Sequence, residues 1–323
     1  MPWYDMPLDR LREYRTSTRE PAGLDQWWAD RLAEAREQAQ PVTVTAHQPG
    51  LYAPLEVSDV EFSGGAGERV RGWFIRPAGR RPNAVVVKYI GYGGGRGAPG
   101  EHLLLPALGY PALVMDSRGQ GGRWSSGATA DGIGSGPENS LVMTRGITTP
   151  ERYYYTRMFV DAALAIDAAR ELAEAPDARV AVSGGSQGGA LALAAAALRP
   201  DAVDVCHADV PFLCDIQRAI TLAPRPPYTE IPEFLAENTE LEERALDTLR
   251  YVDCALLARR ITAATLLSVG LMDDICPPST VYAAYNEVGA ADKEIAVYPY
   301  SGHSRPQAHL ERQLRHLRDR LAA

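Results

Sequence analysis

No stretch of the 323 residues approaches the roughly 18–20 consecutive apolar positions that a membrane-crossing helix needs. The segment from Met1 to Pro7 has neither the basic start nor the apolar run of a secretory signal, so the expected location is the cytoplasm, with no membrane partner. Cysteine is scarce. Cys206, Cys214, Cys254 and Cys276 show no Cys-x-x-Cys spacing and lack the density of a disulfide scaffold, so they are expected as reduced thiols. Cys206 and His207 are neighbours, but adjacent residues on a strand point to opposite faces, which favours packing over a metal or nucleophilic pair. Basic clusters interleaved with aromatics are also missing. With a net charge of −8 and a pI near 5.4, nucleic acid is not an expected partner. There is no internal repeat and no low-complexity tract.

What is present is a 46% hydrophobic chain, ample for one sizeable core, and a single domain over 1–323 is expected. Residues 1–82 read as helices (Leu8 to Arg15, Leu24 to Gln40) followed by alternating segments, Val42 to Thr45, Glu56 to Phe62 and Val70 to Ile75. These are predicted as antiparallel strands at one sheet edge. From Asn83 the pattern changes to buried runs alternating with helices: Ala84 to Ile90, Ala112 to Met115, Val180 to Val182, Ala202 to Cys206, Thr265 to Val269 and Ile295 to Val297. Continuous apolar runs suit parallel strands covered on both faces. The fold class is therefore α/β, a doubly wound, mostly parallel sheet, with any site at the carboxyl edge of its strands. Residues 211–260 carry the Pro-rich Ala223 to Tyr228 and then helical patterns, and they read as a helical insertion near that edge.

Gly184-Gly185-Ser186-Gln187-Gly188 lies between the strand-like Arg179 to Val182 and the alanine-rich Ala190 to Leu198. A strand, a sharp turn and a helix in this order make a nucleophile elbow. Small residues are needed there because backbones cross closely. The amides of Ser186 and Gln187 open the helix, where free N–H groups and the helix dipole favour negative charge. Alone, a Gly-x-Ser-x-Gly match is as well explained by an ordinary helix start; the flanking strand and helix make Ser186 a nucleophile candidate.

A serine hydroxyl needs a base, itself oriented by a third group. Of the six histidines, His303 follows the strand-like Glu294 to Tyr298 and sits in the loop Ser301-Gly302-His303, where such a base belongs. His309 and His316 fall in a charged helical tail, Gln307 to Leu321, and are expected as solvated surface residues. The acid should end the preceding strand, and Thr265 to Met272 runs into the tandem Asp273-Asp274. One carboxylate would orient His303 and the other cap a turn or helix before Pro277. The Ser, Asp, His order is that of α/β-hydrolases. Gly302-His303-Ser304-Arg305-Pro306 lacks the last glycine of the elbow pattern, which makes Ser304 a weak competitor.

A second oxyanion donor should come from a loop after an early strand. Gly91 to Gly97 directly follows Ile90, with the Tyr92 amide as candidate donor and its ring as a wall for a small acyl group. Gly95-Arg96-Gly97-Ala98-Pro99-Gly100 also matches a dinucleotide fingerprint, but Pro99 and Pro106 interrupt the helix it should open, and only Asp116 offers an acid further on. No cofactor and no metal are expected.

Arg118 to Gly122, Gly184 to Gly189, Gly270 to Thr280 and Gly302-His303 together resemble the signature set of the acetyl xylan esterase / cephalosporin-C deacetylase family, the family 7 carbohydrate esterases. Asp5 to Tyr14, Gly91 to Gly97, Tyr153 to Tyr155 and Val281 to Asn286 extend the similarity over nearly the whole chain. The resemblance implies Ser186 as nucleophile, Asp273 as acid, His303 as base, and the Tyr92 and Gln187 amides as the oxyanion hole. It implies a structural role for Arg118 to Gly122. It implies short acyl groups, as in acetylated xylo-oligosaccharides and cephalosporin C, and a homo-oligomer, a hexamer built as a dimer of trimers. Ser304 departs from the pattern, since many relatives have Glu there. Other small-molecule acyl chemistry of the same triad, by a lactonase, peptidase or acyltransferase, is the alternative.

Overall fold

The computed structural model describes residues 4–79, 82–132 and 142–321. Nine strands form one sheet: β1 (Thr43–Ala46), β2 (Leu55–Ser63), β3 (Arg69–Pro77), β4 (Ala84–Tyr89), β5 (Ala112–Met115), β6 (Arg179–Gly185), β7 (Val205–Asp209), β8 (Ala264–Gly270) and β9 (Lys293–Tyr298). Their spatial order is β1-β2-β3-β5-β4-β6-β7-β8-β9. The first three pair antiparallel, and β3 also runs antiparallel to β5. From β5 through β4, β6, β7 and β8 to β9 every pairing is parallel. This is the α/β-hydrolase fold, with antiparallel strands at the N-terminal edge as the sequence predicts.

The helices are α1 (Leu8–Glu13), α2 (Leu24–Glu37), α3 (Leu104–Ala107), α4 (Tyr154–Leu172), α5 (Gln187–Leu198), α6 (Ile216–Leu222), α7 (Glu230–Glu237), α8 (Glu242–Leu249), α9 (Cys254–Leu257), α10 (Pro278–Glu287) and α11 (Ala308–Leu321). Strand β4 shows how they sandwich the sheet. Val85, Val87 and Tyr89 join the large core with α2, α4 and α5, while Ala84 and Val86 face Leu317 and Leu321 of α11. Burial on both faces explains the unbroken apolar runs of the central strands. In α5 the alanines from Ala190 to Ala197 are all buried, and their small size lets the helix lie close to the strands. No helix among the described residues is long and apolar enough to cross a membrane.

Two expectations are corrected. The strand expected at Ala202 to Cys206 lies three residues later, at Val205–Asp209, because Ala202 belongs to a turn closed on Arg199, and the polar His207 and Asp209 are strand residues. His309 and His316 are not surface residues; they are 0% and 4% exposed. The otherwise polar α11 turns this face to β7, where His309 Nε2 meets Asp209 at 2.7 Å and His316 Nδ1 meets His207 at 3.1 Å. Between 211 and 260 the described elements are helical, as expected.

Strand β4 has β5 on one side and β6 on the other, so the order reverses there, and the crevice outside the carboxyl ends is the place for a ligand. The loops after β4, β5, β6, β7, β8 and β9 all open onto that edge.

Candidate active site

Ser186 is the hinge between β6 and α5, with φ 57° and ψ −120°, a conformation a side-chain-bearing residue rarely adopts. The chain crosses itself tightly around it. A Cβ on Gly184 would stand 2.3 Å from the Gly188 carbonyl, and one on Gly188 would stand 2.5 Å from the Tyr89 oxygen. The turn lifts the serine above the sheet edge, where His303 Nε2 lies 2.9 Å from Ser186 Oγ. His303 Nδ1 is 2.8 Å from Asp273 Oδ2.

The tandem acid is resolved by its hydrogen bonds. Asp273 is fully buried, and its Oδ1 accepts the N–H groups of Ile275 and Cys276, both at 2.9 Å. One carboxylate thus does both jobs expected of the pair, facing His303 with one oxygen and holding the turn before Pro277 with the other. Asp274 is paired with Arg225. Tyr4 donates to the Asp273 carbonyl at 2.6 Å, which ties the N-terminal segment to this turn.

The helix-opening amides differ from expectation in one respect. The Ser186 N–H is spent on the Asp209 carbonyl at 2.8 Å, whereas that of Gln187 has no acceptor among the described residues. The glycine loop after β4 shows the same selectivity. Gly93 donates to Gln120 Oε1 (2.7 Å), Gly94 to Gly91 (3.2 Å), Gly95 to Ser125 (3.1 Å), Arg96 to Asp116 (2.8 Å) and Gly97 to Ser126 (2.9 Å). The Tyr92 N–H has no such partner among the described residues. Two N–H groups are therefore left free beside a serine, one from each loop, as an oxyanion site requires. The same bonds speak against a dinucleotide cradle, because the amides from Gly95 to Gly97 are taken and only the short 3-10 turn Pro99–His102 and the four-residue α3 follow.

Arg118 and Gln120 were not given chemistry by the sequence. Arg118 is wholly buried, with Asp161 at 2.6 Å, and pins the sheet edge to α4. Gln120 is also buried; its Oε1 accepts the Gly93 N–H, and its Nε2 donates to Tyr154 (2.7 Å) and to the Gln187 side chain (2.8 Å). The resemblance implied a structural role for Arg118 to Gly122, but polar residues in a turn past the end of a strand do not reveal such partners.

A cavity of about 670 Å³ opens over Ser186 and His303. Tyr92, Val210 and Ile275 line it, with Trp124 at its edge and Pro226 and Pro227 reaching in from the 211–260 interval. The Tyr92 hydroxyl donates to Glu230 of α7 at 2.7 Å, so its ring is held in place. Trp124, 60% exposed, rests on Gly94 and donates to the Tyr92 carbonyl at 2.8 Å.

Among the described residues, two groups of donor atoms converge enough to face a cation, Asp273 with Cys276 and His303, and Asp292 with Glu294 and His316. In the first, the carboxylate is committed to His303 and two amides, and burial together with the Asp273 charge pushes the Cys276 thiol well up. In the second, Arg320 binds both carboxylates. Neither set is free for a metal. All four cysteines are free thiols and buried.

Residues 1–320 match the family model "Acetyl xylan esterase (AXE1)". Among solved structures, the chain is similar to the acetyl xylan esterase from Paenibacillus sp. R4, with a TM-score of 0.88 and 34% identity, covering 98% of this chain and 100% of that one. Acetyl xylan esterase 1 from Thermoanaerobacterium sp. JW/SL YS485 gives 0.86 and 31%, over 98% and 99%. Acetyl esterase Axe7A of Xylanibacter ruminicola is 26% identical over 290 residues, 88% of this chain. The chain spans 64% of the length of that relative.

Proposed function

This chain belongs to the acetyl xylan esterase family, and from that premise we propose that it removes acetyl groups from small esters through a covalent intermediate on Ser186. It is a carboxylic ester hydrolase. The observation that carries the reading is the continuous hydrogen-bond chain from Ser186 through His303 to Asp273, at 2.9 and 2.8 Å, beside two N–H groups that have no acceptor among the described residues.

His303 Nε2 takes the hydroxyl proton as Ser186 Oγ attacks the ester carbonyl. The negative charge that develops on the carbonyl oxygen is held by the Tyr92 and Gln187 amides; one such donor is typically worth about 10²–10³ in rate. His303 then returns the proton to the departing alcohol, and water repeats the sequence on the acyl-enzyme. Asp273 keeps the proton on Nδ1, so that Nε2 presents its lone pair to the serine, and it stabilises the imidazolium that forms.

The named activities of the relatives and the family resemblance support acetylated xylo-oligosaccharides as substrates, and the resemblance alone adds cephalosporin C. The resemblance also supports a cytoplasmic hexamer acting on oligosaccharides rather than polymer, which sedimentation of the purified protein tests.

The deciding experiment is hydrolysis of p-nitrophenyl acetate, butyrate and octanoate by the wild type and Ser186→Ala, with acetylated xylobiose and cephalosporin C alongside. A steep acetyl preference that is lost in the variant supports the proposal. Preference for longer chains, or activity that survives the substitution, overturns it.

A further inference from the structure

The active-site cavity is not the only space at this edge of the sheet. A second cavity of about 260 Å³ lies between the sheet and α11, and Lys88, Glu101, His102, Gly185 and Arg305 line both. Lys88 thus stands where the two meet. On β4 it follows Ala84 and Val86 on the α11 side, and it pairs in register with Ser183, three residues before Ser186. Three residues of strand are roughly 10 Å, about the span of one small acid ester.

The surroundings of this lysine are unusual for a half-buried cation. Its Nζ lies 3.0 Å from His102 Nδ1. His102 Nε2 lies 2.8 Å from the Arg96 carbonyl, which can only accept, so Nε2 carries the ring proton and Nδ1 accepts from the lysine. His102 therefore takes one ammonium proton and supplies no charge. No carboxylate among the described residues is within ion-pair distance of Lys88. The charged groups lining the main cavity are Lys88, Arg123 and Arg305 against Glu101 and Asp209. Glu101 Oε1 accepts the Ala98 amide at 3.0 Å. Asp209 is saturated by Arg305, His309, Gln313 and Ser268. Burial, and then the charge of Arg305, lower the Lys88 pKa, and the nearby Glu101 charge opposes them only in part. Arg305 on this wall is already paired with Asp209, so Lys88 is the cation there without an ion-pair partner among the described residues, and a substrate carboxylate would supply one.

We infer that Lys88, with Arg305 beside it, forms a carboxylate-binding subsite that selects acetyl esters whose alcohol portion carries an acid group. The substrate side of this inference rests on the esterase reading, so its first test needs no turnover. Calorimetric titration of Ser186→Ala with 4-hydroxybenzoate and 4-hydroxybenzamide should show the acid binding about tenfold more tightly, the size expected for a hydrogen bond to a charged group. The preference should shrink with added salt, vanish in Ser186→Ala/Lys88→Met and persist in Ser186→Ala/Lys88→Arg. Lys88→Gln replaces the methionine variant should the latter not melt cooperatively. Equal binding of acid and amide, or a preference that survives loss of the lysine charge, overturns the subsite.

A second arm compares wild-type kcat/KM on 4-acetoxybenzoate and 4-acetoxybenzamide, where a similar ratio is expected. A binding preference without hydrolysis of either ester would sink the esterase reading and leave the subsite standing. Hydrolysis of both at equal kcat/KM, with no binding preference, would do the reverse.

Discussion

The side-chain amide of Gln120 donates to that of Gln187 at 2.8 Å while accepting the Gly93 N–H at 2.7 Å. One buried side chain in the loop after β5 thereby joins the loop after β4 to the start of α5, the two places whose Tyr92 and Gln187 amides have no acceptor among the described residues. Gln187 adds a bond from its own Nε2 to the Ile90 carbonyl at 3.2 Å. The spacing between the Tyr92 and Gln187 amides is thus set by a residue that need not touch substrate. Gln120→Met should lower kcat roughly 10- to 100-fold with little change in KM, because a displaced donor is felt where charge develops. Leaving the Gly93 amide unpaired should also cost about 1–3 kcal/mol in stability. Steady-state kinetics with a thermal melt checks both, and an unchanged kcat in the folded variant would refute the positioning role.

The neighbouring acids should separate sharply. Asp273→Asn retains a carbonyl oxygen for the Ile275 and Cys276 amides but presents N–H to His303, forcing the imidazole into the wrong tautomer. A fall in kcat of about 10³–10⁴ is expected near neutral pH. Asp274→Asn breaks a pair with the largely exposed Arg225 side chain and should stay within about twofold of the wild type. Comparable losses in both would contradict the assignment.

Two adjacent glycines should respond differently to one methyl group. At Gly184 the new Cβ meets the Gly188 backbone at 2.3 Å, and neither chain can yield without opening the elbow. At Gly185 the nearest atom is Asp209 Cβ at 3.7 Å, an ordinary contact. Gly184→Ala should cost about 3 kcal/mol or more, in the range of severe overpacking, and Gly185→Ala within about 1 kcal/mol. Denaturant melts of the two variants decide the matter.

The histidine pair between β7 and α11 should make the fold acid-sensitive. Burial, reinforced for His207 by the charge of His316, holds the two at about 3 and about 4, against 6.5 for a free imidazole. Below pH 6.5 the unfolded chain gains protons that the fold refuses. Stability present above 6.5 is therefore lost as pH falls towards 4, on the order of 3 kcal/mol from His316. His316→Gln can keep a hydrogen bond to His207 without titrating, and its stability should fall less steeply over that window. Chemical denaturation at several pH values between 7 and 4 measures the slope.

How far the sequence revealed this arrangement depended on the range of the forces involved. The elbow is a local steric problem, so glycines around Ser186 between an apolar strand and an alanine helix expose it. His303 and Asp273 were legible because each lies in the loop after a recognisable strand. The two histidines of α11 were misread because a mostly charged helix gives no local sign that one stripe packs against polar groups of β7. Gln120 and Lys88 were opaque for a related reason: their partners lie on other strands and loops, and only the sheet order brings them together. The Ser186 amide, expected to be free, is bonded to a carbonyl of the neighbouring strand, a pairing set by tertiary register.

Ser186, finally, holds its backbone where glycine would sit at lower energy. The most stable version of this protein is then not the working one. A chain carrying glycine at 186 should outlast the wild type under heat while hydrolysing nothing. Selection for thermal robustness alone would drift towards an inert scaffold, and screens for hardier variants of this molecule must score turnover together with melting.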